Sequence, residues 1–133
     1  MAVDTPGDRG RADPAADGPP GPSRDVTTTQ PLTIETQLTA GTATIVISGE
    51  LDIATTPFLA EQLARILRSK PRRLVFDMTE VGFIDCAAVR LVVGAGQFLP
   101  DGRPSVIRPS PAVRRLLGLT GLDAHLDVHC EAE

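Results

Sequence analysis

From Pro31 onward the spacing of apolar residues switches between a period of two and a period near 3.6. That switching restricts the possible folds more than any other feature of the chain. In "LTIETQL" the residues Leu32, Ile34, Thr36 and Leu38 alternate, as in a half-buried strand. A turn, "AGT", separates it from the apolar run "ATIVISGEL", so residues 32–38 and 43–49 are predicted to form a hairpin. In "TTPFLAEQLARILRSK", Leu59, Leu63, Ile66 and Leu67 share one face of a helix. Thr56 is its predicted cap, Pro57 suits the first turn, and Pro71 lies just beyond its basic end. "RRLVFDM" reads as a short strand buried on both faces, followed by a loop. After Asp85, "CAAVRLVVGAGQFL" is ambiguous on propensity, because Val89, Val92 and Val93 favour strand while its length and the Asp cap favour helix. "RPSVIRP" is a further strand. In "SPAVRRLLGL", Ser110 caps a helix, Pro111 opens it and Gly118 can end it, and "AHLDVHC" reads as a last short strand. The predicted order is β-β-α-β-α-β-α-β: an α/β domain over residues 31–133 with helices covering most of a small mixed sheet.

Ahead of this domain, residues 1–30 are rich in Pro, Gly and Asp and poor in apolar side chains. Such a segment buries too little surface to offset its ordering entropy, so it is predicted to be a disordered tail. Its Ser23 and Thr27–Thr29 hydroxyls are candidate phosphate acceptors, although a solvated tail is the simpler reading.

Composition removes several functions. Aromatic residues make up 3% of the chain, with no Trp or Tyr, which leaves no platform for stacking bases. A net charge of −4 lacks the basic stripe of a phosphate-backbone binder, so no nucleic-acid partner is expected. No apolar run approaches the roughly 18 residues that span a bilayer, and the N-terminus lacks the order of a secretory signal. Two cysteines, Cys86 and Cys130, do not make a disulfide framework, and the expected setting is the cytoplasm. His125 and His129 fall in a predicted strand about 13 Å apart at ~3.3 Å per residue, with Cys130 on the opposite face, so no metal is expected. "GAGQ" at 94–97 lies inside a helix, where its glycines serve close packing and not dinucleotide binding. Nothing brings a histidine to Cys86, so a Cys-His hydrolase is not expected. No cofactor is implied, and the chain reads as an interaction protein and not an enzyme.

The remaining candidate is the junction at residues 85–86. Asp85 is a natural N-cap for the first free N–H groups of the helix. The next side chain stands where the helix dipole favours negative charge. A hydroxyl there could take a phosphate from a docked kinase and so change the charge of a binding surface. This chain has a thiol there, and the simplest role for Cys86 is that of a small residue at a tight helix entry.

Three stretches resemble the STAS domain family, in particular the bacterial anti-sigma factor antagonists. They are "GELDIATTPFLAEQL" at 49–63, "LVFDMTEVGFIDCAAVRLVV" at 74–93 and "PSPAVRRLLGLTGLDAHLDV" at 109–128. The resemblance implies the small mixed sheet read above. It also implies an antagonist that binds an anti-sigma factor of the histidine-kinase-like ATPase type and so releases a sigma factor to act in transcription. In that family the kinase switches the antagonist off by phosphorylating the Ser after the Asp, and a phosphatase resets it. Carried onto this chain, the Asp is Asp85, the phosphoacceptor position is Cys86, and Ala87 and Ala88 follow where the family has Ser or Ala and then Gly. Asp52 matches a family acidic residue near the partner surface, and it reads equally as a turn or cap carboxylate. The implied partner surface is therefore Asp52, Asp85, Cys86, Ala87 and Ala88. A Cys cannot serve as a normal serine-kinase substrate, which leaves the ordinary phosphorylation cycle without its acceptor. The alternatives are a STAS scaffold, the partner of a lipid transporter, and a redox-sensing regulator acting through Cys86, since a helix N-terminus makes a thiol easier to ionise.

Overall fold

The structure, a computed structural model, describes residues 23–29 and 31–130. Its elements run β1 (Ser23–Thr29), β2 (Leu32–Thr39), β3 (Thr42–Leu51), α1 (Thr56–Arg68), β4 (Arg73–Ile84), α2 (Cys86–Ala95), β5 (Val106–Pro109), α3 (Pro111–Thr120) and β6 (Asp127–Val128). Short 3-10 turns occupy Gly96–Phe98, Pro100–Gly102 and Leu122–His125. The strands form one six-stranded sheet in the order β1-β2-β3-β4-β5-β6. β1 to β3 pair antiparallel, and β3 to β6 pair parallel.

Each parallel step moves one strand in the same direction across the sheet. Right-handed crossovers then place α1, α2 and α3 on one face. Burial agrees: Ala43, Ile45 and Ile47 of β3 are buried, while Thr44, Val46 and Ser48 between them are only partly covered. Opposite Ile45 lies Phe76, and opposite Ile47 lies Ile34, both fully buried. Leu59 and Leu63 from α1, Val89 and Val92 from α2, and Val113 and Leu117 from α3 close this single core.

The expected hairpin is present, with Ala40 and Gly41 at positive φ in its two-residue turn. Three elements differ from the expectation. Ser23–Thr29, placed in the tail from sequence, pairs along the whole of β2. Its β-branched Val and Thr residues suit an edge strand that needs no apolar face of its own. The rest of the tail, residues 1–22 and 30, lies outside the described residues, as do the side chains of Ser23 and Thr27–Thr29. β4 runs through the expected loop to Ile84, because two register shifts against β3, at Val46/Ser48 and Gly49/Glu50, absorb its extra residues. The last helix passes Gly118 and stops at Gly121, whose φ of 76° lets its N–H close on the Leu117 carbonyl.

The ambiguous segment after Asp85 is a helix. Of its glycines, Gly96 does pack closely, since a Cβ there would meet the Arg103 carbonyl at 2.8 Å, whereas Gly94 faces open space. His125 falls in a 3-10 turn and not in a strand, which ends the shared-face geometry expected for the two histidines. His129 instead approaches Asp127 at 3.0 Å. Among the described residues no helix is long and apolar enough to cross a membrane.

Candidate functional site

The parallel strands deliver three helix N-termini to one end of the sheet, and the candidate residues lie at two of them. Leu51, the last residue of β3, pairs with Ile84, the last of β4. One residue further on, the Asp85 N–H donates to the Leu51 carbonyl at 3.1 Å. Asp52 and Asp85, 33 positions apart in sequence, therefore leave neighbouring strand ends side by side.

Asp85 caps α2 as its sequence implies. Its backbone is extended (φ −107°, ψ 172°), and its carboxylate accepts from the Ala88 N–H at 3.1 Å. Cys86 then begins the helix, half-buried, with Ala87 exposed beside it. Ala88 is different. Its side chain is fully buried in the core of the free chain, and it contributes the N–H held by Asp85. The helical phase explains this, because Ala88, Val89, Val92 and Ala95 form the inward face.

Asp52 works as a turn carboxylate. It accepts from the N–H groups of Ala54 and Thr55, both at 3.0 Å, and from the Thr55 hydroxyl at 3.2 Å. Donation from the Thr55 N–H, seconded by Ala54 and the hydroxyl, holds its carboxyl below the ordinary value of 3.8, with partial desolvation opposing them. The residue before α1 is Thr55, not the expected Thr56. Thr55 is buried and makes no forward cap; its hydroxyl donates to the Glu50 carbonyl at 2.8 Å and accepts from the Asp52 N–H at 2.9 Å. Thr56 donates back to the Asp52 carbonyl at 2.8 Å. The β3–α1 corner is thus a closed set of short hydrogen bonds that fixes where Asp52 stands.

Upstream of this corner, Gly49 takes φ +109°, and a Cβ on it would lie 1.9 Å from the Pro31 carbonyl oxygen. The glycine of "GELD" is thus required by backbone geometry at the bulge that turns β3 toward the site.

Two residues at this end were not singled out from sequence. Ile53 is 87% exposed, next to Asp52, and Phe83 is 50% exposed, opposite Glu50 in the register. Apolar residues inside or beside strand patterns read as core. The signal for Phe83 was its place in "EVGFID", where Ile84 already supplies the inward residue. Together the end of the sheet presents apolar Ile53 and Phe83, a fixed carboxylate at Asp52, and the half-buried thiol of Cys86 with exposed Ala87. Apolar residues flanked by fixed polar groups suit a protein partner. Among the described residues no group of His, Cys, Asp and Glu could hold a metal ion.

The STAS domain model matches residues 33–132. Over 84 residues the chain is 26% identical to the anti-sigma-F factor antagonist RsfB of Mycobacterium tuberculosis, covering 62% of this chain and 69% of that protein. The crystal structure of an anti-sigma factor antagonist from Mycobacterium paratuberculosis superposes with a TM-score of 0.65 at 28% identity, covering 74% of this chain and 85% of the other. The anti-sigma factor antagonist SpoIIAA in its unphosphorylated form shares the fold, with a TM-score of 0.58 at 19% identity over 84% of this chain and 90% of that one.

Proposed function

The chain belongs to the STAS domain family, and we propose that it is an anti-sigma factor antagonist whose partner surface is the end of the sheet carrying Asp52, Ile53, Phe83, Asp85, Cys86 and Ala87. The partner is an anti-sigma factor of the histidine-kinase-like ATPase type, and its capture releases a sigma factor. The observation that carries the reading is Cys86 itself. It opens α2 directly after a working Asp85 cap, half-exposed, where a phosphoacceptor hydroxyl would stand.

With a thiol in that place the helix entry is unchanged, because Cys and Ser are close in size and the cap uses the Asp85 carboxylate and the Ala88 amide. What is missing is the oxygen nucleophile that a serine kinase uses. The antagonist is then competent to bind at all times, and a phosphatase has no phosphate to remove at this residue. The relatives' names support the antagonist role, and the apolar pair Ile53 and Phe83 supports a protein partner over a small substrate.

Affinity capture from native lysate on the immobilised wild-type chain tests this reading. A kinase-like ATPase should be retained, and Cys86→Glu, which puts a charge into the contact, should lose it. Equal retention by the Glu variant would remove residue 86 from the interface. Recovery of transporter subunits in place of the ATPase would overturn the antagonist role.

A further inference from the structure

At the other end of α1, on the edge away from Cys86, a cleft of about 240 Å³ opens between the second half of β2 and the helix. Arg65 lies nine residues past Thr56, about 14 Å along the axis at ~1.5 Å per residue. Its apolar wall is Leu38, Ala43 and Ile66, and its polar groups include Gln62, Arg65 and Ser69.

Among the described residues, one of these groups is buried and unsatisfied, and a second is a cation without a protein partner. Gln62 is 92% buried, given a relative exposure of 8%, yet its amide has no hydrogen-bond partner among the described residues. A buried amide without a partner is costly, and native structures hold few of them. Arg65 is exposed at the cleft rim and has no ion pair among the described residues. The helix buries Gln62 as part of the lining of a space larger than the roughly 150 Å³ cavity that accommodates benzene.

We propose that this cleft binds a small organic carboxylate, its apolar body against Leu38, Ala43 and Ile66 and its carboxylate held between the Arg65 guanidinium and the Gln62 amide. The planar fork of an Arg matches a carboxylate in a bidentate pair. Among the described residues a single cation lines the cleft, which fits a monoanion better than a phosphate dianion. The ligand site is separate from the partner surface and does not depend on the antagonist role.

Benzoate titrated into the full-length chain, followed by amide NMR, tests the proposal. The Gln62 side-chain amide and the Ser69 backbone amide should shift saturably, with affinity on the order of millimolar for so small a probe. Benzamide, the neutral analogue, should bind at least about ten-fold more weakly, and Arg65→Ala should lose a similar factor for benzoate. Gln62→Leu should abolish the benzoate shifts while raising the melting temperature, because it fills the same volume without the orphaned amide. Arg65→Lys should recover part of the affinity but not all of it. Equal binding of benzamide and benzoate, an absence of saturable shifts, or a Gln62→Leu variant that binds as well as wild type would each overturn the assignment. Tighter binding of phenyl phosphate than of benzoate would overturn the carboxylate class.

Discussion

Gly49→Ala tests whether the bulge that feeds the proposed partner surface is built as described. At φ +109° an L residue is outside even the left-handed helical region, a strain of about 1–3 kcal/mol. A Cβ would also lie 1.9 Å from the Pro31 carbonyl oxygen, when real Cβ atoms essentially never come within 3.0 Å. The backbone must therefore separate by about 1 Å, at a point where the Glu50 N–H donates to that same carbonyl at 3.3 Å. Weakening this bond adds about 0.5–1.5 kcal/mol, and Leu32, the next residue, is buried and resists the shift. The expected loss is about 2–4 kcal/mol, or a fall in Tm of roughly 10–30 °C for a domain of this size. Thermal unfolding by circular dichroism measures it. Gly82→Ala is the control: a Cβ there meets nothing within 4 Å, and its φ is unstrained, so its change should stay within about 0.5 kcal/mol. If Gly49→Ala melts with Gly82→Ala, the bulge is not formed, and the placement of Asp52 that follows from it fails.

Asp52→Asn should lower stability at pH 7, since the native carboxyl is held below 3.8 by donors from Thr55 and Ala54. A depressed carboxylate contributes its full stability above the unfolded value and loses it as pH falls through the folded value. The difference in Tm between wild type and the variant should therefore shrink below about pH 3.8, and a constant gap down to strongly acid pH would contradict the charge-based origin. Ser110→Ala removes the acceptor for the Val113 N–H at 3.2 Å and the donor to the buried Val81 carbonyl at 2.6 Å. Losing a cap and orphaning a carbonyl should cost about 1–3 kcal/mol by chemical denaturation, and an unchanged midpoint would mean that α3 is not anchored to β4 through this hydroxyl. Ile53→Ala should weaken capture of the anti-sigma factor by about five-fold or more while leaving Tm unchanged, because the side chain is 87% exposed in the free chain. Unchanged affinity would remove this end of α1 from the interface.

Much of this architecture was legible in residue spacing. The hairpin showed in the alternation of Leu32, Ile34 and Leu38, and α3 in Ser110–Pro111 followed by Val113 and Leu117. Both are local patterns whose tertiary role agrees with their propensity. β1 was not legible, because its Thr-rich run has no apolar period and becomes a strand only when β2 offers an edge. The extension of β4 was hidden by Gly82 and Glu80, which look like a loop until two bulges carry them along β3. The stop of α3 was misplaced because two glycines compete, and only Gly121 is needed at positive φ. At the site, Asp85 could be read as a cap, and Asp52 as either of two things. The structure shows Asp52 as a turn carboxylate at a strand end next to that of Asp85. The inward direction of Ala88 follows from helical phase once the segment is known to be a helix. The exposure of Ile53 and Phe83 does not follow from any local pattern, since it depends on where the sheet ends.

The central claim is that the thiol at residue 86 keeps the antagonist bound where a hydroxyl would let it be switched off. The most direct measurement is dissociation of the complex with the captured anti-sigma factor after ATP is added, read alongside the intact mass of the antagonist, for wild type and for Cys86→Ser. Wild type is expected to stay bound with no mass added, while the Ser variant gains one phosphate and is released. Phosphate on wild type at another hydroxyl, such as Thr79, accompanied by release, would contradict the claim and show that the switch sits elsewhere.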